Sequence, residues 1–151
     1  MKIEEEIKST VKLSIAKKVI LNLTFTKNFI GDKFNEILKP FEISGEQYNV
    51  LRILRGQKGK PINMQDIQDR MVTKNSNTTR LIDKLLLKEM VIRNTCPENR
   101  RKIEIIITQT GLDVLSELDP LIDAHENSLL NKLSDIELEN LNNLLEKIRE
   151  N

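Results

Sequence analysis

The 151-residue sequence has no tryptophan, one tyrosine (Tyr48), one cysteine (Cys96) and one histidine (His125). A single cysteine excludes an internal disulfide and fits a reducing cytoplasm. One histidine and one cysteine, far apart in the chain, make neither a nucleophile–base pair nor a tetrahedral zinc site. No glycine-rich phosphate loop is present, and Glu4, Glu5 and Glu6 read as an exposed charge run, not a metal cluster. The expectation is therefore a protein without cofactor or metal that is not an enzyme. No apolar run approaches the roughly 20 residues that a membrane span needs. The acidic start, "MKIEEEIKST", argues against a secretory leader. There is no tandem repeat and no low-complexity linker.

The length is that of one domain, or of a small domain with dimerisation appendages. A chain of this size buries roughly 70% of its unfolded surface, so it can build a core without covalent staples. The net charge of +1 conceals an asymmetry. Between Lys60 and Lys102 there are ten Lys/Arg against five Asp/Glu; between Ile103 and Asn151 there are three against eleven. A basic middle and an acidic tail are expected of a chain whose middle meets a polyanion.

Residues 4 to 38 read mostly as helix. Val11, Ile15, Val19 and Leu23 step at four, and Phe29, Phe34, Ile37 and Leu38 continue the stripe to Pro40. Gly31 is a candidate break. The stripe has more apolar surface than a small domain can cover alone, and reads as half of a dimer interface. Ser44 and Gln47 form a capping box for a second helix with Tyr48, Val50, Leu51 and Leu54 inside. "GQKGKP" is loop. Asn63 opens a third helix, with Met64, Ile67 and Met71 on its apolar side.

The stretch "TKNSNTTRLIDKLLLKEM" (73 to 90) has a small, polar first half and a helical stripe of Leu81, Ile82, Leu85 and Leu86. Thr73 or Asn75 can cap it. Two short helices a turn apart, the second with a polar tip, form a helix-turn-helix. "VIRNTC" and "KIEIIIT" then change to strand period, around a turn, "PENRR", that ends in two arginines. A hairpin directly after a helix-turn-helix is a wing. The last third returns to helix behind Thr108 and Gly111. Pro120 is expected to kink that helix or start a new one, and Ser134 with Glu137 caps a final amphipathic helix. The fold class is mainly α with a small β-hairpin wing.

A recognition helix lies in the major groove with its N-terminal residues on base edges. Asn75, Ser76, Asn77 and Thr79 can hydrogen-bond bases or phosphates there, and Lys74, Arg80 and Lys84 supply charge. Arg100 and Arg101 suit a narrow A·T-rich minor groove. The plainer alternative is a capped surface helix and a pair of turn arginines that meet only water. What favours double-stranded DNA is the order of the two features along the chain.

At these residues the chain resembles the MarR family of winged-helix transcriptional regulators. "SNTTRLIDKLLLKEMVIR" is similar to the family's recognition helix and first wing strand, usually Ser-Thr-Val-Thr-Arg-Leu-Val-Asp-Arg-Leu, then Gly-Leu-Val. "NRRKIEIIITQTG" is similar to its wing signature, usually Asp-Arg-Arg, a strand, then Leu-Thr and a Gly. "LSDIELENLNNLLEKI" resembles its C-terminal helix. The resemblance implies that Ser76, Asn77, Thr79 and Arg80 face the major groove and that Arg101 is the wing-tip arginine.

It also implies an obligate homodimer with two half-sites in a pseudo-palindromic operator, and the reading adopted on this basis is a transcriptional repressor. The expected division is a helical dimerisation segment over 1–43, a winged helix-turn-helix over 44–110 and dimerisation helices over 111–151. The family's small aromatic or anionic ligands bind between the dimerisation and DNA-binding parts; Phe25, Phe29, Tyr48 and His125 are the corresponding candidates here, although aromatic residues at helical spacing also serve as core. A redox role for Cys96 needs a partner thiol. Three residues depart from the pattern: Asn99 where Asp is usual, Val72 where a turn glycine is frequent, and Glu89 where a glycine precedes the wing. The alternative class is a dimeric winged-helix protein-interaction module, its basic face binding an acidic partner.

Overall fold

Ser44, Asn63 and Asn77 each begin a helix by accepting a backbone amide three residues on: Gln47, Asp66 and Arg80, at 3.1, 2.8 and 3.1 Å. These caps set where α3 (Gly45–Gly56), α4 (Met64–Arg70) and α5 (Thr78–Leu87) start. The computed structural model describes residues 1–150.

Ahead of them lie a short α1 (Ile3–Glu6) and the long α2 (Ile15–Leu38), which ends in a 3₁₀ turn over Lys39–Phe41. The continuous helix expected from residue 4 is thus interrupted. Lys8 takes a left-handed φ of +52°, the Ser9 side chain bonds the backbone of Val11, and Ser14 caps a fresh start. Local side-chain-to-backbone bonds compete with helix in this way. Gly31 does not break α2, and Pro40 lies in the 3₁₀ turn just past its end.

Three strands follow the pattern read from the hairpin, with one addition. β2 (Val91–Thr95) pairs antiparallel with β3 (Ile103–Ile107), from Val91 opposite Ile107 to Thr95 opposite Ile103. A two-residue β1 (Ile62–Asn63) joins the other edge of β3, Ile62 opposite Ile105. β1 was not legible because two residues carry no period. α6 (Gln109–Leu130) and α7 (Asp135–Ile148) complete the chain.

Pro120 neither ends α6 nor restarts it. It is exposed, so water can serve the carbonyl four residues back that it leaves without an amide partner.

The core gathers the inner faces of α3, α4, α5, α6 and the sheet. Leu51, Ile67, Ile82, Leu85, Ile105 and Leu115 have essentially no exposed surface. Each such side chain contributes about 1.5–3 kcal/mol by leaving water. Gly111 is obligatory at the entry to α6: a Cβ there would lie 2.4 Å from the Met90 carbonyl oxygen and 2.7 Å from Ile107 Cγ1.

Outside this core the apolar surface is uncovered. Ile15 is 76% exposed, Ile136 71% and Leu144 60%, with Phe25 and Phe29 also exposed. α7 contains no buried residue. No helix among the described residues is long and apolar enough to cross a membrane.

Candidate nucleic-acid interface

The α4–turn–α5 unit is fixed from the inside by the stripe read in the sequence. Leu81, Ile82 and Leu85 are buried, which turns Thr79, Arg80, Asp83 and Lys84 outward. The cap is Asn77, not Thr73 or Asn75. Its Oδ1 is therefore occupied by the Arg80 amide, which leaves its Nδ2 hydrogens to donate outward.

The candidate contact residues divide by what they already hold. The Ser76 hydroxyl donates to the Thr73 carbonyl at 2.7 Å, and Lys74 Nζ donates to the Asp69 carbonyl at 2.6 Å. By contrast, the side chains of Asn75, Thr79, Arg80 and Lys84 have no hydrogen bond or ion pair among the described residues, and all four are exposed. The N-terminal end of α5, where the dipole favours an anion, thus presents the free side chains of Asn75, Thr79 and Arg80, and Lys84 adds a free cation on the same outer face in the last turn.

The wing carries the second part. Cys96 N–H donates to the Lys102 carbonyl at 2.9 Å, and Lys102 N–H donates to the Asn99 carbonyl at 2.9 Å. Asn99 Oδ1 accepts from the Arg101 amide at 3.1 Å. So the amide that replaces the family's usual aspartate still organises the turn, through the backbone and without a negative charge. The guanidinium groups of Arg100 and Arg101 are exposed and hold no carboxylate among the described residues. Arg93 on β2 bonds Asp83 on α5 at 3.3 Å, which ties the wing strand to the helix beside it.

Two of the departures from the family pattern are explained. Val72 has an ordinary negative φ, so the turn makes no demand that only glycine could meet there. Glu89 does take the left-handed form, φ +57°, at the step from α5 into β2.

The four candidate ligand residues do not share one cavity. Tyr48 is buried and borders an open cleft of about 550 Å³ with Phe34, Arg52, Ile53, Val72 and Thr73. Phe34 meets the Tyr48 ring edge-on at 5.3 Å, and the Arg52 guanidinium lies 5.8 Å from its centre. Phe25 and Phe29 border a separate depression beside Met1 and Ile3, because they sit on α2 before it reaches α3. His125 borders neither; it is half-buried on α6, with Nε2 enclosed and without a hydrogen-bond partner among the described residues. Cys96 is free and half-buried.

Two residues at this site, Gln68 and Asn49, carry no local signal in the sequence. Gln68 and Asn49 bond the turn before α5 from neighbouring helices, and their partners become visible only in three dimensions.

Residues 43–103 match the profile of the MarR family. The chain is 26% identical over 131 residues to the HTH-type transcriptional regulator MhqR of Bacillus subtilis, covering 87% of this chain and 89% of that one. Its fold superposes on a MarR transcription factor from Planctomyces limnophilus with a TM-score of 0.70 and 33% identity, over 90% of this chain and 98% of the other. It also superposes on a cysteine-to-serine mutant of E. coli MarR complexed with operator DNA, with a TM-score of 0.77 and 21% identity, over 90% and 99% of the two chains.

Proposed function

The chain belongs to the MarR family of winged-helix transcriptional regulators, and from that membership we propose that it is a homodimeric, sequence-specific repressor that binds a pseudo-palindromic duplex. The observation that carries this reading is the set of unneutralised cations on two adjoining elements. Arg80 and Lys84 line the outer face of α5, Arg100 and Arg101 tip the wing, and none has an anionic partner among the described residues. Cations left unpaired in this way are free to displace counterions from a phosphate backbone.

In this reading Asn75, Ser76, Asn77 and Thr79 read the major groove, Arg80 anchors the helix tip, and Lys74 and Lys84 meet phosphates. Arg101, with Arg100 beside it, enters the flanking minor groove. The dimer forms through α2, α6 and α7, whose exposed isoleucines, leucines and phenylalanines exceed what a monomer keeps in water. The twofold sets two α5 helices about one turn of DNA apart, roughly 34 Å.

A small aromatic or anionic ligand is the expected effector, and the Tyr48 cleft suits it. The cleft has an aromatic wall, one guanidinium (Arg52) and one carboxylate (Glu46), and its rim includes Val72 and Thr73 of the turn that precedes α5. A ligand there can alter the presentation of α5 without touching DNA.

The test is selection of duplexes from random-sequence DNA, followed by salt titration of the winner and sedimentation of the free protein. The expected result is a pseudo-palindromic winner, a steep loss of affinity with salt, and a dimer. A stable monomer, or binding indifferent to salt, overturns the reading.

A further inference from the structure

We propose that Gln68 is a positioning residue for DNA reading: its carboxamide clamps the turn between α4 and α5 and so sets the placement of the α5 tip. Gln68 is half-buried on α4, on the side facing α5 rather than at the protein's outer edge. Its Nε2 donates to the Lys74 carbonyl at 2.6 Å, and its Oε1 accepts from the hydroxyl of Thr78, the first residue of α5, which is buried. One side chain thus spans both sides of the stretch that holds Asn75, Ser76 and Asn77.

Two further bonds close the same turn. Asn49 on α3 accepts the Val72 amide at 2.9 Å, and Lys74 Nζ reaches back to the Asp69 carbonyl at 2.6 Å. The turn has little apolar anchoring of its own, since Val72 is 84% exposed and residues 73 to 75 are exposed. Its shape therefore depends on polar side chains, Asn49 of α3 and Gln68 of α4 together with Lys74 and Ser76 of the turn itself. A carboxamide suits the central place because it is both donor and acceptor, whereas a carboxylate only accepts and a thioether does neither strongly.

A clamp of this kind costs nothing to non-specific binding, which needs only charge near phosphates. It matters where hydrogen-bonding groups must meet base edges within a few tenths of an ångström. This inference rests on the DNA-binding reading above, and its test has one arm that does not.

The experiment compares the full-length wild type with Gln68→Met, Gln68→Glu and Thr78→Val. Without DNA, amide hydrogen exchange at Ser76, whose N–H donates to the Thr73 carbonyl, and at Arg80, whose N–H donates to Asn77 Oδ1, is expected to quicken about tenfold in Gln68→Met, while exchange at 82–87 keeps its protection. With DNA, Gln68→Met is expected to bind the selected duplex about tenfold more weakly, with the affinity for poly(dI·dC) within about twofold of wild type. Gln68→Glu, which keeps the acceptor for Thr78 and loses the donor to Lys74, is expected to fall between. Combining Gln68→Met with Thr78→Val is expected to cost no more than Gln68→Met alone, because the Thr78 bond is already lost with Gln68.

Unchanged exchange in the turn overturns the clamp, and equal weakening on both DNAs overturns its role in reading. If Gln68→Met fails to fold, Gln68→Glu carries both comparisons. Should the wild type enrich no duplex at all, the regulator reading falls, and the exchange arm still decides whether Gln68 holds the turn.

Discussion

The guanidinium of Arg55 grips the carboxylate of Asp119 at two points, Nη1 to Oδ2 at 2.8 Å and Nη2 to Oδ1 at 3.0 Å. The pair joins α3, which leads into the helix-turn-helix, to α6, which leads away from it. The Arg55 hydrogen bond, aided by its charge, holds the Asp119 carboxyl below the ordinary aspartate range against the opposing effect of burial. The folded-state pKa is thus the lower one. The contribution of the pair is fully present above the unfolded value of about 3.9 and is lost as pH falls through the folded value. Both side chains are a third or more exposed, so solvent screening limits the effect to about 1 kcal/mol or less. Asp119→Asn is expected to lower the urea midpoint at neutral pH, and the gap from wild type is expected to close below about pH 4. A gap independent of pH excludes the ion pair as its cause.

Glu89 sits in left-handed backbone, φ +57°. Its carbonyl accepts the Thr108 hydroxyl at 2.6 Å and its amide donates to Leu86. These are main-chain bonds, which any residue keeps. A side chain in this region costs roughly 1 kcal/mol that glycine does not incur. Glu89→Gly is accordingly expected to raise stability by about that amount or somewhat less, since glycine also loosens the unfolded chain. Chemical denaturation reads the change; a loss of stability contradicts it.

Gly111 predicts the opposite sign. Its missing Cβ is space taken by the Met90 carbonyl and the Ile107 side chain, at the point where the sheet meets α6. Gly111→Ala forces backbone apart and is expected to cost about 1–3 kcal/mol, as overpacking does. It also strains the start of α6, where Thr108 Oγ1 accepts the Gly111 amide at 3.2 Å. A thermal melt within a degree or so of wild type would show that the junction can yield.

What the sequence disclosed, and what it concealed, follows from range. The capping boxes at Ser44 and Ser134, the stripe Leu81–Ile82–Leu85 and the hairpin about "PENRR" are encoded within a few residues, and all appear in the fold. The interruption at Lys8 to Ser14 was missed because its apolar residues keep helical spacing while Ser9 and Ser14 bond the backbone instead. Of the two outcomes expected at Pro120, a kink or a fresh helix start, the fresh start does not occur, and α6 runs through an exposed proline whose orphaned carbonyl water can serve. At the candidate interface, Arg80 and Arg101 are named from their type and place alone, and the fold leaves both exposed. Gln68 could not be named in this way, because its two partners, Lys74 and Thr78, are assembled by the turn itself.

The wing offers the sharpest test of how the duplex is read. Asn99 fixes the Arg101 amide through its side-chain oxygen, yet brings no charge to the arginine pair. Arg100 and Arg101 therefore have no anionic partner among the described residues, the condition under which arginine is drawn to the enhanced negative potential of a narrow minor groove. Arg101→Ala is expected to weaken binding about tenfold on duplexes with A·T-rich flanks and much less on G·C-rich flanks. Asn99→Asp keeps the turn's acceptor and adds a carboxylate beside both arginines, so it is expected to lower affinity and make the salt dependence shallower by up to about one phosphate contact. Electrophoretic shifts on paired duplexes that differ only in their flanks read the first effect, and a salt titration reads the second. Equal losses of affinity on both flanks in Arg101→Ala would make this residue a phosphate contact and remove the wing from sequence reading, since charge alone does not distinguish A·T from G·C.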